Sequence, residues 1–151
     1  MTQTRYLKRQ HGRWIQISAG VIVTRPDYRK VLVIRPMKRK DWEFAKGKLE
    51  PKESHIDAAR RELNEETSIR NVKIRPHWRQ NIEYRFALPH IGLVHKTVTY
   101  YLATTRDRVR LSSEHGEYRW ATWSEARSLL RHRNYQDILT KVENTLRIAK
   151  K

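Results

Sequence analysis

The order of its apolar segments constrains this chain more than any other feature. Two runs rich in β-branched residues, WIQISAGVIVTR (14–25) and KVLVIRP (30–36), flank the turn signal RPDYR and read as strands. A helix is predicted from Ser54 to about Thr67. It has Ile56, Ala59 and Leu63 spaced three and four apart, and a start signal in Pro51 with Glu53 or Ser54. NVKIRPHWRQNIEYRF (71–86) and HKTVTYYLAT (95–104) read as long strands around a loop holding Pro89 and Gly92, and EYRWATW (117–123) as a short one. SEARSLL, capped by Ser124, and YQDILTKVENTLRIAK then read as helices. Strands, helix, strands and helices in that order predict a mixed α/β sandwich.

A chain of 151 residues without repeats suits one domain, expected over 14–149, with a basic, loose segment at 1–13 and loose lysines at the end. The 38% hydrophobic content, with five Trp and seven Tyr, is enough for a sizeable core. Cysteine is absent, which excludes a disulfide framework and a thiolate metal site. No apolar run approaches the roughly 20 residues of a membrane helix, and MTQTRYLKRQHGR lacks the apolar centre of a signal peptide. A cytoplasmic protein with no membrane partner is the expectation.

Charge narrows the partners. Thirty-three Lys and Arg against 16 Asp and Glu give a net charge of +17, a field that attracts polyanions. Residues 47–70 stand apart: six acids against five bases make that stretch −1, so the remainder carries +18. A basic soluble surface laced with ion pairs and a polyanion-binding surface are both compatible with this balance.

At about 100° per residue, Glu62, Glu65 and Glu66 fall roughly 50° to 150° to one side of the apolar stripe of the 54–67 helix. Like charges four apart, such as Glu62 and Glu66, cost roughly 0.2–0.5 kcal/mol on an exposed helix, and more where water is partly excluded. Two arrangements offset that cost. Arg61 can pair with Glu65 or Asp57 in a plain salt-bridged helix, or the oxygens can bind a hard divalent cation such as Mg²⁺ that bridges to substrate phosphates.

The stretch GKLEPKESHIDAARRELNEETSI (47–69) resembles the Nudix box, G-x5-E-x7-R-E-U-x-E-E-x-G-U with U aliphatic. Gly47, Glu53, Arg61, Glu62, Leu63, Glu65, Glu66 and Ile69 fit it; Ser68 stands where the pattern has glycine. The resemblance implies an α/β/α sandwich with a mixed sheet and cleavage of a phosphoric anhydride by metal-activated water. It places Mg²⁺, with Mn²⁺ as a substitute, on Glu62, Glu65 and Glu66. In this reading Gly47 lets the preceding loop approach the metal through its backbone, Arg61 orients the glutamates, and Glu53 pairs or caps rather than ligates.

Other segments bear on the substrate. LSSEHGEYRWAT (111–122) and HKTVTYYLAT are similar to segments of the asymmetrical diadenosine tetraphosphate hydrolases, so that the likeness spans about 17–140. It implies that Glu114 is a further ligand or base, that Lys96 and Lys46 meet phosphate, and that Tyr84 and Tyr135 stack on a base. Locally, Glu114 on a polar loop can equally be solvated, and either tyrosine can simply pack. Trp120 and Trp123 are expected in the core under the last helices, and Trp42 either at the site entrance or packed. The chain reads FAKGK where that subfamily has PPKGH, and its charge exceeds what a dinucleotide needs. The expected activity is hydrolysis of dinucleoside polyphosphates, with an RNA 5′-pyrophosphohydrolase as the alternative, its RNA tracked by the basic surface. A non-catalytic domain that binds a nucleic acid or a protein is a third reading, which the intact glutamates oppose.

Overall fold

The structure is a computed structural model and describes residues 6–37, 39–112 and 115–150. Seven strands, β1 (Leu7–Gln10), β2 (Arg13–Thr24), β3 (Val31–Pro36), β4 (Ala45–Lys48), β5 (Lys73–Leu88), β6 (Gly92–Thr104) and β7 (His115–Ala121), form one sheet. Three helices, α1 (His55–Thr67), α2 (Trp123–Leu129) and α3 (Arg133–Lys150), complete the chain.

Strand β2 organises the sheet. One of its edges pairs in parallel with β6 along its whole length, from Trp14 opposite Val94 to Thr24 opposite Thr104. The other edge is shared: β1 takes its start, β4 its middle and β3 its end, all antiparallel. β5 and β7 lie outermost, next to β6 and β3. A strand enclosed on both faces must be apolar on both. Accordingly Ala19, Val21 and Val23 pack towards α1, while Ile22 faces the α2–α3 side, and Leu32 and Ile34 of β3 alternate with Val31 and Val33 in the same way. Helices therefore cover both faces, the predicted α/β/α sandwich.

α1 forms as expected. The Ser54 side chain accepts from the Asp57 amide, and the helix buries Ala58, Ala59 and Leu63 against the sheet, while Ile56 is only half-buried. Ser68 ends the helix in the left-handed conformation, φ 66°, where glycine is the usual choice. Its hydroxyl donates to the Arg110 carbonyl at 2.8 Å, a bond that glycine does not have.

Four expectations are corrected. Residues 7–10 are a strand, held through Leu7 opposite Gln16 to Gln10 opposite Arg13, rather than loose chain. The cap of α2 is Thr122, which exchanges hydrogen bonds with Glu125 in a capping box, so the helix begins two residues before Ser124 allows. Trp120 packs on the α1 side with the Arg25 guanidinium over its ring at 4.3 Å, whereas Trp123 does pack under the last helices and donates to the Tyr28 carbonyl. Finally, AKGK, not expected to be a strand, is β4. Its close crossing of β2 depends on Gly20, where a Cβ would lie 2.3 Å from the Ala45 carbonyl oxygen.

Candidate active site

The glutamates of α1 lie over β4. Gly47 sits directly beneath Glu62: a Cβ at that position would fall 1.9 Å from the Glu62 carboxyl carbon, so any side chain there would displace this carboxylate. The backbone at Gly47 thus comes close to the Glu62 carboxylate, and it belongs to a strand and not to a loop. Glu66 is 7% exposed, and its Oε1 accepts the Lys46 amide at 3.1 Å. Glu65 points outwards, with 56% of its side chain exposed.

Arg61 ties this flank together. Its guanidinium makes a bidentate pair with Glu53 at 2.7 and 3.0 Å, reaches Glu62 at 3.0 Å and Glu65 at 3.2 Å, and donates to the Lys48 carbonyl at 3.0 Å. Glu53 also accepts the Glu50 amide, so its carboxylate is fully engaged in fixing Arg61 and the loop ahead of the helix. The guanidinium hydrogen bond holds the Glu53 carboxyl below its usual range. Among the described residues the salt bridges of Arg61 go to Glu53, Glu62 and Glu65 and not to Asp57, the other candidate partner.

Burial sets the electrostatics of the other two acids. Removal from water pushes the Glu62 carboxyl up, although Arg61 opposes it. Glu66 is pushed up to about 8, first by burial and then by the charges of Glu62 and Glu43, with Lys46 opposing. Among the described residues no three acidic or imidazole groups already converge on one point. The chemistry of the donors nevertheless fits a hard divalent cation. Glu62 and Glu66 are half-dried carboxylates whose charge a cation would stabilise, and the cradle between Gly47 and Glu62 leaves no room for a side chain. Glu62, Glu65, Glu66 and the backbone at Gly47 are the groups that can hold it. Glu114 lies outside the described residues.

Beyond Lys46 the sheet opens into a cavity of about 500 Å³ lined by Lys46, Lys96, Tyr84, Trp42, His132 and Tyr135, among others. Lys46, the residue whose amide meets Glu66, therefore joins the carboxylates to the cavity. Lys96 stands opposite Tyr84 across the β5–β6 pair. Burial, followed by the charges of Lys46, Lys48 and Arg39, lowers the Lys96 ammonium to about 7. Burial likewise pushes the Tyr84 hydroxyl up to about 12.

Tyr135 differs from its expected part as a stacking platform. It is 5% exposed, its hydroxyl shares a 3.3 Å hydrogen bond with that of Tyr100, and its ring packs edge-on against Phe44 at 5.3 Å. It forms the floor of the cavity, leaving Tyr84 and Trp42 as the more accessible rings. Sequence reasoning overlooked Glu43. A β-bridge to Ile34 holds it in place, its side chain is 12% exposed, and its carboxylate lies 3.5 Å from both the Lys46 ammonium and the Arg39 guanidinium. Its position one residue after Trp42 and three before Lys46 was the available signal.

Known proteins resemble this chain in sequence and in fold. A model of the NUDIX domain matches residues 14–141. The asymmetrical bis(5′-nucleosyl)-tetraphosphatase of Sus scrofa is 36% identical over 104 residues, covering 65% of this chain and 67% of that protein. Its Mus musculus counterpart is 36% identical over 90 residues, 56% of this chain and 58% of that protein, so the matches span about three fifths to two thirds of those relatives. Among solved structures, a binary complex of the C. elegans Ap4A hydrolase superposes with a TM-score of 0.75 at 24% identity, over 86% of this chain and 96% of that one. The E. coli dihydroneopterin triphosphate pyrophosphohydrolase superposes with a TM-score of 0.63 at 19% identity, over 83% and 92%. At such identities the superpositions speak for the fold, while the family match covers most of the chain and coincides with the glutamate helix, β4 and the cavity: the chain belongs to the NUDIX family of pyrophosphohydrolases.

Proposed function

We propose that the protein hydrolyses dinucleoside polyphosphates, diadenosine tetraphosphate to ATP and AMP, with Mg²⁺ held by Glu62, Glu65, Glu66 and the backbone at Gly47. One observation carries the proposal: Glu62, half-buried, and Glu66, buried, lie over β4, and Lys46 of that strand, whose amide meets Glu66, also lines the cavity. The likeness to tetraphosphatases from two mammals supports this substrate class.

When bound, a hard divalent cation neutralises phosphate oxygens and lowers the pKa of a water. The chain's own groups supply the rest. Lys46 and Lys96 bind the polyphosphate from the cavity side; the phosphates restore to Lys96 the charge that burial opposes. Tyr84 and Trp42 offer ring faces to a base at the cavity mouth, and Arg61 keeps Glu62 and Glu65 orientated. Glu43 spaces the Lys46 ammonium. Glu114, outside the described residues, is proposed as a further ligand or base.

The test is the rate of ATP and AMP formation by Glu62→Gln and Glu66→Gln at saturating Mg²⁺. A fall of at least about 10²-fold is expected, and rates within about threefold of the parent would remove both residues from the metal site. A panel including nucleoside triphosphates, ADP-ribose and triphosphorylated RNA fixes the substrate class.

A further inference from the structure

A second, larger hollow lies at the other end of the sheet, where β2 and β6 finish. Its volume is about 1020 Å³. Measured along β6 from Lys96 to Thr104, it is about 26 Å from the candidate active site. It exists because β5 leaves its ladder: pairing jumps from Ile74 opposite Ala103 to Arg79 opposite Tyr101, so that 75–78 bulge away from the sheet edge. The bulge is fixed by the Trp78 indole, which donates to the Thr145 hydroxyl of α3 at 3.1 Å.

Five cations line this groove: Arg60, Arg70, Lys73, Arg75 and Arg106. Among the described residues none of the five forms a salt bridge with a carboxylate. The one acid in the lining, Asp107, is already engaged. It accepts the backbone amides of Arg70 and Asn71 at 3.0 and 2.9 Å and the Asn71 side chain at 3.4 Å. Thr105 donates to the Asn71 carbonyl at 2.6 Å, Ser68 donates to the Arg110 carbonyl, and Arg25 donates to the Asp107 carbonyl at 2.7 Å. The two segments that present Arg70 and Arg106 are thereby tied to each other, so the cations are arrayed before any ligand arrives.

A hollow of this kind, cationic at its walls and apolar in its floor at Val72, Ile74 and Leu102, accepts an anion that is extended, repeatedly charged and partly apolar. A flat membrane surface does not enter it, and a single phosphate leaves most of its charges unmatched. We propose that this groove binds the backbone of a single-stranded nucleic acid, at a site separate from the hydrolytic one. The inference does not depend on which nucleotide the active site cleaves.

Fluorescence anisotropy of a labelled oligouridylate of roughly 12 nucleotides tests it. The triple variant Arg70→Gln, Arg75→Gln, Arg106→Gln is compared with a charge-matched control, Arg9→Gln, Arg13→Gln, Lys141→Gln, whose positions are exposed and lie outside both hollows. The groove variant is expected to bind at least about tenfold more weakly than the control and to lower the slope of log affinity against log salt by about 2, near 0.7 for each charge removed. Its hydrolysis of diadenosine tetraphosphate should match the parent. Equal losses in the two variants, or full binding by the groove variant, overturn the proposal. So does groove-dependent binding of phosphatidylserine vesicles without groove-dependent binding of the oligonucleotide. Should the variant fail to fold, photo-crosslinking of a 4-thiouridine oligomer to the parent decides the matter: adducts within 70–76 or 104–107 support the groove, and adducts confined elsewhere refute it.

Discussion

On the β4 side of α1, Arg61 is bonded to Glu53, Glu62, Glu65 and the Lys48 carbonyl; one residue earlier, Arg60 turns to a groove that holds four more cations and an acid already occupied by backbone amides. The two flanks are built from the same charged residue types. They differ in what is left over. On the first flank carboxylates are in excess and partly dried, which stabilises an added cation; on the second, guanidinium groups are in excess and exposed, which stabilises an added anion. One basic helix neighbour serves structure and the other is left for recognition, a distinction that net charge conceals.

The sharpest way to break this comparison is Gly47→Ala. Forcing a Cβ into the Glu62 carboxylate should reduce hydrolysis by about 10²-fold or more while leaving oligonucleotide binding at the far groove intact, measured side by side on one preparation. Loss of both would mean that the flanks are not independent. Arg61→Lys comes next. It removes the planar fork from three carboxylates and a carbonyl, and should cost about 2–3 kcal/mol in denaturant unfolding, whereas Arg60→Lys should change stability by less than about 0.5 kcal/mol.

Lys96 gives an effect with a pH signature. Its ammonium is lowered to about 7 in the folded protein, against about 10.4 in an unfolded chain. Between those values the unfolded state binds more protons, so this group makes stability rise with pH from about 7 to about 10.4. Lys96→Met should flatten that rise in urea titrations across the window and weaken polyphosphate binding. An unchanged slope would show that Lys96 is not the group responsible. The smallest effect belongs to Ser68→Gly. Relief of the left-handed backbone and loss of the 2.8 Å bond to Arg110 oppose each other, and a net change within about 1 kcal/mol is expected by thermal unfolding.

The sequence made α1 legible because a cap, a 3.6-residue apolar period and a fixed acid spacing all point the same way. β4 was hidden because AKGK carries two lysines and a glycine, and its extended form comes from Gly20 and Ala19 on the neighbouring strand. β1, LKRQ, was hidden for the same reason: its partner is β2, not its own pattern. The start of α2 was readable, since Thr122 and Glu125 have capping-box spacing, yet Ser124 satisfies the simpler rule equally well. Tyr135 was misjudged because a tyrosine that floors a cavity and one that stacks in it look alike until burial is known. The groove at the far end could not be read at all. It requires a four-residue bulge in β5, and nothing in RPHW (75–78) announces it beyond Pro76.

The parallel pairing of β2 with β6 reaches beyond the active site. Trp14 meets Val94, so the middle of the sheet joins residues 80 positions apart in the chain. Local hairpins such as β5–β6 can zip early, but the strand that carries Gly20 under β4 gains its long neighbour only after most of the polypeptide is available. Such a non-local closure makes assembly slow and leaves apolar β2 open in the meantime. A nascent chain halted before residue 92 therefore presents Val21, Ile22 and Val23 to solvent along an unpaired edge, and it is at this stage that aggregation competes most strongly with folding.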